Sequence, residues 1–575
     1  MPVLALCGGL LSACNAIFGI STGEPTGGTA GTGGLAPTTT TGSSSEVGGT
    51  GGLAPTSATS SGSSMTMTTT TTTSTTTSSS SSTGGPAAVC DGSGPVGSTV
   101  NTATFAKQSA GGGTEVANAV AIGADGSVYA IGTYTSGDVF FSGVSLPYDI
   151  LDGSDDGANV FVVKRHPDGS PDWAVGFKGP RDQAPYGLAL DDNGHVYLSG
   201  RMEGVMKVGG TTLTATGLDG FVIQLDAKTG AVGWAKGFGG PGDEIVQQVA
   251  IDGKGQVIIA GMTNGAINFG CATAIDNVPS GLFLVALDPA GGDCVWQHKY
   301  LVDTRFADKD SVGYPVALAV DKASPGAIYL AGGAASPNFG QGPIVGLGAK
   351  DIFVFKASSA GDYVDARIFG AQFPNDGNQY ASSIAVDPCG NLVLTGSFSH
   401  DLTFGLLPPL HTVDVANDAG VNELDEEDMF VAKLDSSFKP IWSKSFGDAS
   451  EQHGISVAVD AFSNVTVGGK LDDVAYSKGI DFGGGVLKGV GPDNGGYYNS
   501  EILVARFDAA GKYLWARRMG TAAGQRLHGV AVDDTGHTAF VGNFLTESGI
   551  QLDFGGATQP LLGNYLDAFF VRLGP

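Results

Sequence analysis

Basic residues are scarce in this chain of 575 residues, and none precedes Lys107. Lys and Arg number 29 against 56 Asp and Glu, a formal net charge of −27. Only Glu24 and Glu46 of the acidic residues precede residue 90, so nearly all the negative charge lies beyond it. That balance excludes nucleic acid or anionic lipid as partners bound through a basic patch. Spread over loops, the excess simply confers solubility. Helical periodicity is also missing, because no stretch sustains apolar residues at the spacing of a helix face.

Tryptophan occurs only five times, and always at one repeating position: Trp173, Trp234, Trp296, Trp442 and Trp515. Each stands four residues before an apolar residue that closes a strand-like run: Phe177, Phe238, Tyr300, Phe446 and Met519. A second anchor reads small-apolar-Ala-apolar-Asp. It starts at Gly187, Ala317, Ser383, Ser456 and Gly529, at Gln248 with a larger first residue, and at Ala119 with Gly123 in place of Asp. Successive anchors are 68, 61, 69, 66, 73 and 73 residues apart, which makes seven copies.

Each copy reads as four short strands separated by Gly, Asn and Asp turns, the pattern of antiparallel sheet. Units of this size with four strands predict a β-propeller. The last copy stops after its third strand, near Phe569–Leu573, and the missing strand stands at the other end, around Phe105. The expected fold is therefore all-β: a seven-bladed β-propeller of four-stranded antiparallel blades, closed by the N-terminal strand completing the last blade. Between second and third strands a Phe-Gly pair recurs at Phe269, Phe339, Phe404, Phe482 and Phe554, with a looser copy at Phe141. These read as aromatic plugs between neighbouring blades, each followed by a turn glycine.

The chain here resembles the bacterial β-propeller repeats called SBBP repeats. The matching residues are the Ala-Val-Asp and Gly-Asn turn of 385–391, the Asp-Phe-Gly of 481–483 and the run Phe430–Asp435. The resemblance spans about residues 100–575 and implies a secreted or cell-surface protein without a shared active site. Fold alone gives no chemistry.

Residues 1–14 read as an export signal, with a short apolar core from Val3 to Leu11. The segment 11–14 resembles a lipobox, which implies cleavage before Cys14 and lipidation of its thiol. The basic segment that usually opens such a signal is missing, so the true start is expected upstream of Met1. Asn15 after the cysteine resembles the sorting of outer-membrane lipoproteins. Residues 15–89, rich in Thr, Ser and Gly, cannot bury enough apolar surface to offset chain entropy, and read as a disordered tether. Its r.m.s. reach is about 45 Å. The ordered domain is expected over 90–575.

Cys7 and Cys14 fall in the signal, leaving Cys90, Cys271, Cys294 and Cys389, which allow three pairings. Cys271 and Cys294 share a blade, which favours their pairing in an exported protein. No cysteine spacing suggests zinc. Two acidic clusters, at Asp152, Asp155 and Asp156 and at Glu423–Asp428, suit Ca²⁺ in ligand type but match no EF-hand spacing. They read as solvated loops, and no cofactor is expected.

The candidate functional face is the approach to each first strand, which carries Tyr186, Gln247, Tyr314, Tyr380, His453, Arg526 and His528. Hydrogen-bonding and aromatic groups converging from several blades suit a glycan or protein partner. The longest connections, at about 398–428 and 470–500, belong to the fifth and sixth blades. An enzyme reading finds less. Residues 225–230 with Trp234 resemble the tryptophan-docking motif of quinoprotein propellers, but no two cysteines are adjacent, and shared blade packing explains the match. No nucleophile elbow is present either. Two functions follow: a lipid-anchored binding or scaffold module, or an envelope hydrolase or lyase at the channel mouth. A sharply raised carboxyl beside His453 or His528 would favour the second.

Overall fold

The computed structural model describes residues 102–575, less 136–137, 142, 148–156, 272–280, 303–315, 323–325, 347–349, 372–376, 414–426, 449, 473–478, 489–499, 522–523, 546–550, 555–557 and 561–565. The signal, Cys14, the tether, Cys90 and Tyr314 lie outside the described residues.

Among the described residues there is no helix, and strands form seven four-stranded antiparallel sheets with some short hairpins. Sheet 1 comprises Glu115–Ile122, Val128–Tyr134, Asn159–Arg165 and Pro171–Phe177. Sheets 2 to 6 open with Gln183–Leu190, Glu244–Ile251, Ala317–Val320, Gln379–Val386 and Gln452–Val459. Sheet 7 contains Gln525–Val532, Thr538–Leu545 and Leu566–Leu573. Its fourth strand is Ala103–Gln108, from the opposite end of the described chain, with Ala106 opposite Val571.

The anchor explains the first strands. Its alanines, Ala121, Ala189, Ala250, Ala319, Ala385, Ala458 and Ala531, are all buried, and each first strand packs against the first strand of the next sheet. Glu115–Ile122 of sheet 1 likewise packs against Gln525–Val532 of sheet 7. A Cβ placed on Gly187 would lie 2.8 Å from the backbone nitrogen of Val249, so the small first residue is a steric requirement of that approach. The closing aspartates fold the turns. Asp252 accepts from the N–H groups of Lys254 and Gln256, and Asp387 from those of Cys389 and Asn391. In sheet 1, which has Gly123, Asp125 takes the role by accepting from the Ser127 N–H.

Aromatic side chains join the sheets. Trp173 of sheet 1 donates its indole N–H to the Ala227 carbonyl of sheet 2, and Trp234 of sheet 2 donates to Pro289 of sheet 3. Trp442 of sheet 5 donates to Ala509 of sheet 6. Each ring lies on a turn glycine of the following sheet: a Cβ on Gly230, whose φ is 71°, would approach Trp173 to 2.9 Å. Phe105 in the N-terminal strand of sheet 7 lies in the same way on Gly169 of sheet 1. The Phe-Gly segments provide the second contact. Phe269 packs against Phe238 of the preceding sheet at 5.2 Å, Phe404 against Phe369 at 5.1 Å and Phe482 against Phe446 at 4.8 Å. Burying one such ring contributes about 1.5–3 kcal/mol.

Cys271 and Cys294 are disulfide-bonded across the end of sheet 3, with Cα atoms 5.1 Å apart. Glu427 and Asp428, expected in a solvated acidic loop, instead open the strand Glu427–Leu434. Asp428 is buried, and its carboxylate accepts the Val413 N–H.

The junction of sheets 7 and 1 holds two buried carboxyls, Glu115 and Asp567. Elsewhere the position of Glu115 is Gln183, Gln379, Gln452 or Gln525, and in sheet 3 it is Glu244. Burial, then the hydrogen bond and charge of Asp567, push the Glu115 carboxyl far above its ordinary range, and burial also raises Asp567. The folded state thus holds protons that the unfolded chain releases. This stabilisation is complete below the ordinary glutamate value of 4.5 and is lost as the pH climbs above it. Glu115→Gln should therefore raise Tm at pH 8 and leave it nearly unchanged at pH 4, as read by thermal unfolding followed by circular dichroism. An equal shift at both pH values would contradict the shared proton.

Candidate functional site

Among the described residues, six first strands carry a β-bulge at one register position. The extra residue is Asn118, Tyr186, Gln247, Ser382, Ile455 or His528. Three sequence candidates, Tyr186, Gln247 and His528, therefore occupy bulges. Tyr380, His453 and Arg526 occupy a different row, two residues earlier, in sheets 5, 6 and 7. The candidates thus split into two sets with different surroundings.

The bulge set is dispersed and buried. Gln247 is fully buried and its side-chain oxygen accepts the Val316 N–H, tying sheet 3 to sheet 4. Tyr186 stands beside Arg201, whose guanidinium is held charged first by Tyr186 and then by Asp182 and Glu203 against the cost of burial. His528 is buried against the Asn543 side chain, 2.5 Å away. Burial drives its pKa down to about 4, with only the Asn543 hydrogen bond opposing, so the ring is neutral near pH 7.

The second row converges. Tyr380 donates its hydroxyl to Glu427 at 2.6 Å, and the same carboxylate oxygen lies 3.2 Å from His453 Nδ1. Ser397, opposite Tyr380 in its sheet, also reaches Nδ1 at 3.2 Å. On the other side of the ring, Nε2 lies 3.6 Å from Glu451 and 3.7 Å from Asp472. Lys470, paired with His453 in register, places its ammonium 2.5 Å from Asp472. Arg526 adds its charge to Asp472 from sheet 7. Three carboxylates and three cationic side chains from three successive sheets thus form one network.

Its electrostatics follow from this packing. Burial and Lys470 push His453 down, but the Glu427 and Glu451 carboxylates prevail and raise it to about 9. Burial would raise Glu427, yet His453, Tyr380 and Lys470 hold it below its ordinary value. Burial opposes ionisation of Asp472 too, and Lys470, His453 and Arg526 outweigh it, bringing the group to about 2. The imidazolium is therefore the stable state at neutral pH, and the two carboxylates stay ionised.

Glu451, His453 and Asp472 each offer one ligand atom, all within 4.8 Å of one another, a spacing that a cation could bridge. Lys470 already sits on the Asp472 carboxylate, and ring protons occupy the position a metal would take. Among sequence candidates, Tyr380, His453 and Arg526 are brought together. Tyr314 lies outside the described residues. Sequence reasoning missed Lys470, Asp472 and the role of Glu427; the signal for Lys470 was a lysine in a second strand that is otherwise apolar or small over 465–471.

No family model and no curated protein matches the chain. Among solved structures, the quinohemoprotein alcohol dehydrogenase of Comamonas testosteroni is 14% identical, covering 82% of this chain and 76% of its own, with a TM-score of 0.36. A polysaccharide lyase, an ulvan lyase, is 8% identical over 86% of this chain and 96% of its own, also at 0.36. A protein of unknown function from Dyadobacter fermentans is 10% identical over 68% of this chain and 93% of its own, at 0.33.

The two buried histidines should titrate far apart. In a histidine-resolved NMR titration, His453 should lose its proton near pH 9 and His528 should gain one only near pH 4. Stability from His453 is then complete below the ordinary 6.5 and lost as pH rises through about 9. For His528 it is present above 6.5 and lost as pH falls through about 4. Glu427→Gln should lower the His453 midpoint; an unchanged midpoint would remove Glu427 as its partner.

Proposed function

We propose that this chain is an exported, lipid-anchored β-propeller of the SBBP-repeat kind that binds a protein or glycan partner at its sheet 5–7 rim. Seven blades close into a ring, with Ala103–Gln108 completing the last. Support comes from the pairing of that strand with Leu566–Leu573, and from Phe105 lying on Gly169 as Trp173 lies on Gly230. The anchor is lipid on Cys14 in the outer envelope, with residues 15–89 as tether.

One observation carries the binding reading: the polar network occupies only part of the ring. At the row of Tyr380, His453 and Arg526, sheets 1, 2 and 3 present Val116, Ala184 and Ile245 instead. Polarity concentrates where the longest connections leave sheets 5 and 6. A glycosidase of the two-carboxylate kind would need a carboxyl held protonated beside His453, whereas Glu427 and Asp472 are both held low.

A glycan-array and envelope-protein binding screen with the full chain tests this reading. The ligand bound by the wild type should be lost in His453→Ala and weakened about tenfold or more in Tyr380→Phe, about 1.4 kcal/mol. Undiminished binding in both would remove the rim. Closure has its own test. Phe105→Ala should destabilise the domain by about 3–5 kcal/mol in a single shifted transition. A separate early transition confined to the chain ends, with the main one unmoved, would indicate an open array.

A further inference from the structure

We infer that the notch between His453 Nε2, Glu451 and Asp472 is a subsite for a ligand hydroxyl, which makes the partner at this rim a neutral, polyhydroxylated glycan. The inference rests on the rim reading above and narrows it. The His453 side chain is only 5% exposed, and its Nε2 has no hydrogen-bond partner although it points at two carboxylates. Those carboxylates, at 3.6 and 3.7 Å, stand beyond hydrogen-bonding reach. They are more open than the ring, at 23% and 20% exposure, so the notch has a dry floor and a wet mouth. The Asp472 N–H donates to the Glu451 carbonyl at 2.9 Å, which holds the two walls together.

Charge selects the occupant. Both ring nitrogens face carboxylates, Glu427 on one side and Glu451 and Asp472 on the other, so both carry protons. With Lys470 and Arg526, three cations already face three anions. An anionic ligand would meet Glu451 and Asp472, and a metal ion would have to displace the Nε2 proton and contend with Lys470. A hydroxyl is both acceptor and donor: it takes the Nε2–H and gives its own proton to a carboxylate oxygen. A sugar presents such hydroxyls in series, and the notch, lined by charged groups, asks for no apolar group.

Calorimetric titration of the full chain with neutral gluco-, manno- and galacto-oligosaccharides tests this, alongside oligogalacturonate and zinc chloride. At least one neutral probe should bind, weakened tenfold or more by Glu451→Gln and by Asp472→Asn. Glu203→Gln, a carboxylate of sheet 2 beyond the notch, should change binding less than twofold. In the wild type, the same probe should move the His453 Nε2 resonance while the ring stays doubly protonated, a readout that survives if either variant fails to fold. Absence of binding by every neutral probe would overturn the inference, as would a resonance moved by zinc alone with loss of the ring proton. Binding confined to oligogalacturonate or to a protein, and lost in Tyr380→Phe, would overturn the hydroxyl assignment while leaving the rim reading intact.

Discussion

The seating of an aromatic ring from one sheet on the backbone turn of the next is the contact on which this molecule depends. A four-stranded sheet of this size cannot stand alone, because both faces are apolar and each must be covered by a neighbour. Trp173 on Gly230 and Trp234 on Gly292 supply that cover at the outer strands. The Phe-Gly plugs repeat it between second and third strands, and the anchor alanines complete it at the first strands. The glycines are as necessary as the rings. A side chain at Gly292 would meet Trp234 at 2.7 Å, and its φ of 70° is one that other residues rarely adopt. Ring and turn therefore vary together or not at all.

That coupling is why so much of the fold is legible in the sequence. Packing that must recur in every unit writes itself as spacing, so strands, turns and their sequence of pairing can be read from Trp, Ala-apolar-Asp and Phe-Gly alone. The site is less legible for the complementary reason. Tyr380, His453 and Arg526 are visible because they break an apolar pattern just before an anchor. Whether a residue there belongs to the bulge or to the row before it depends on a single extra residue in the strand, which reverses the face it presents. The bulge hides His528 against Asn543, while the row before it brings His453 to Glu427. Glu427 itself was masked by its company. A run of acids reads as solvated loop, and only the strand that begins at that residue separates it from the run.

Buried ions recur in this fold as pairs. Lys433 meets Asp387 at 2.8 Å and Arg506 meets Asp460 at 2.5 Å, each joining a third strand to the turn aspartate of its own sheet. Such pairs are built from two partners that already satisfy one another, and removing one leaves an uncompensated charge. The network around His453 is of another kind. It crosses three sheets, and one of its donors, Nε2, remains unmatched by any hydrogen bond. Neither the Lys433–Asp387 pair nor the Arg506–Asp460 pair leaves such a remainder.

The repeat also determines where difference can be tolerated. The anchor alanine recurs in all seven sheets, whereas the row before the bulge is Val116 in sheet 1, Ala184 in sheet 2 and Ile245 in sheet 3. A position that accepts valine, alanine and isoleucine with the same backbone pairing is not required by the fold to be histidine. Placing a buried imidazole there costs desolvation, which the carboxylates must then offset. Three adjacent sheets carry that expense together, in residues 73 positions apart, and their side chains meet. Stability alone would have been served by three more aliphatic residues, so the backbone pairing that these sheets share with the others does not account for the charge.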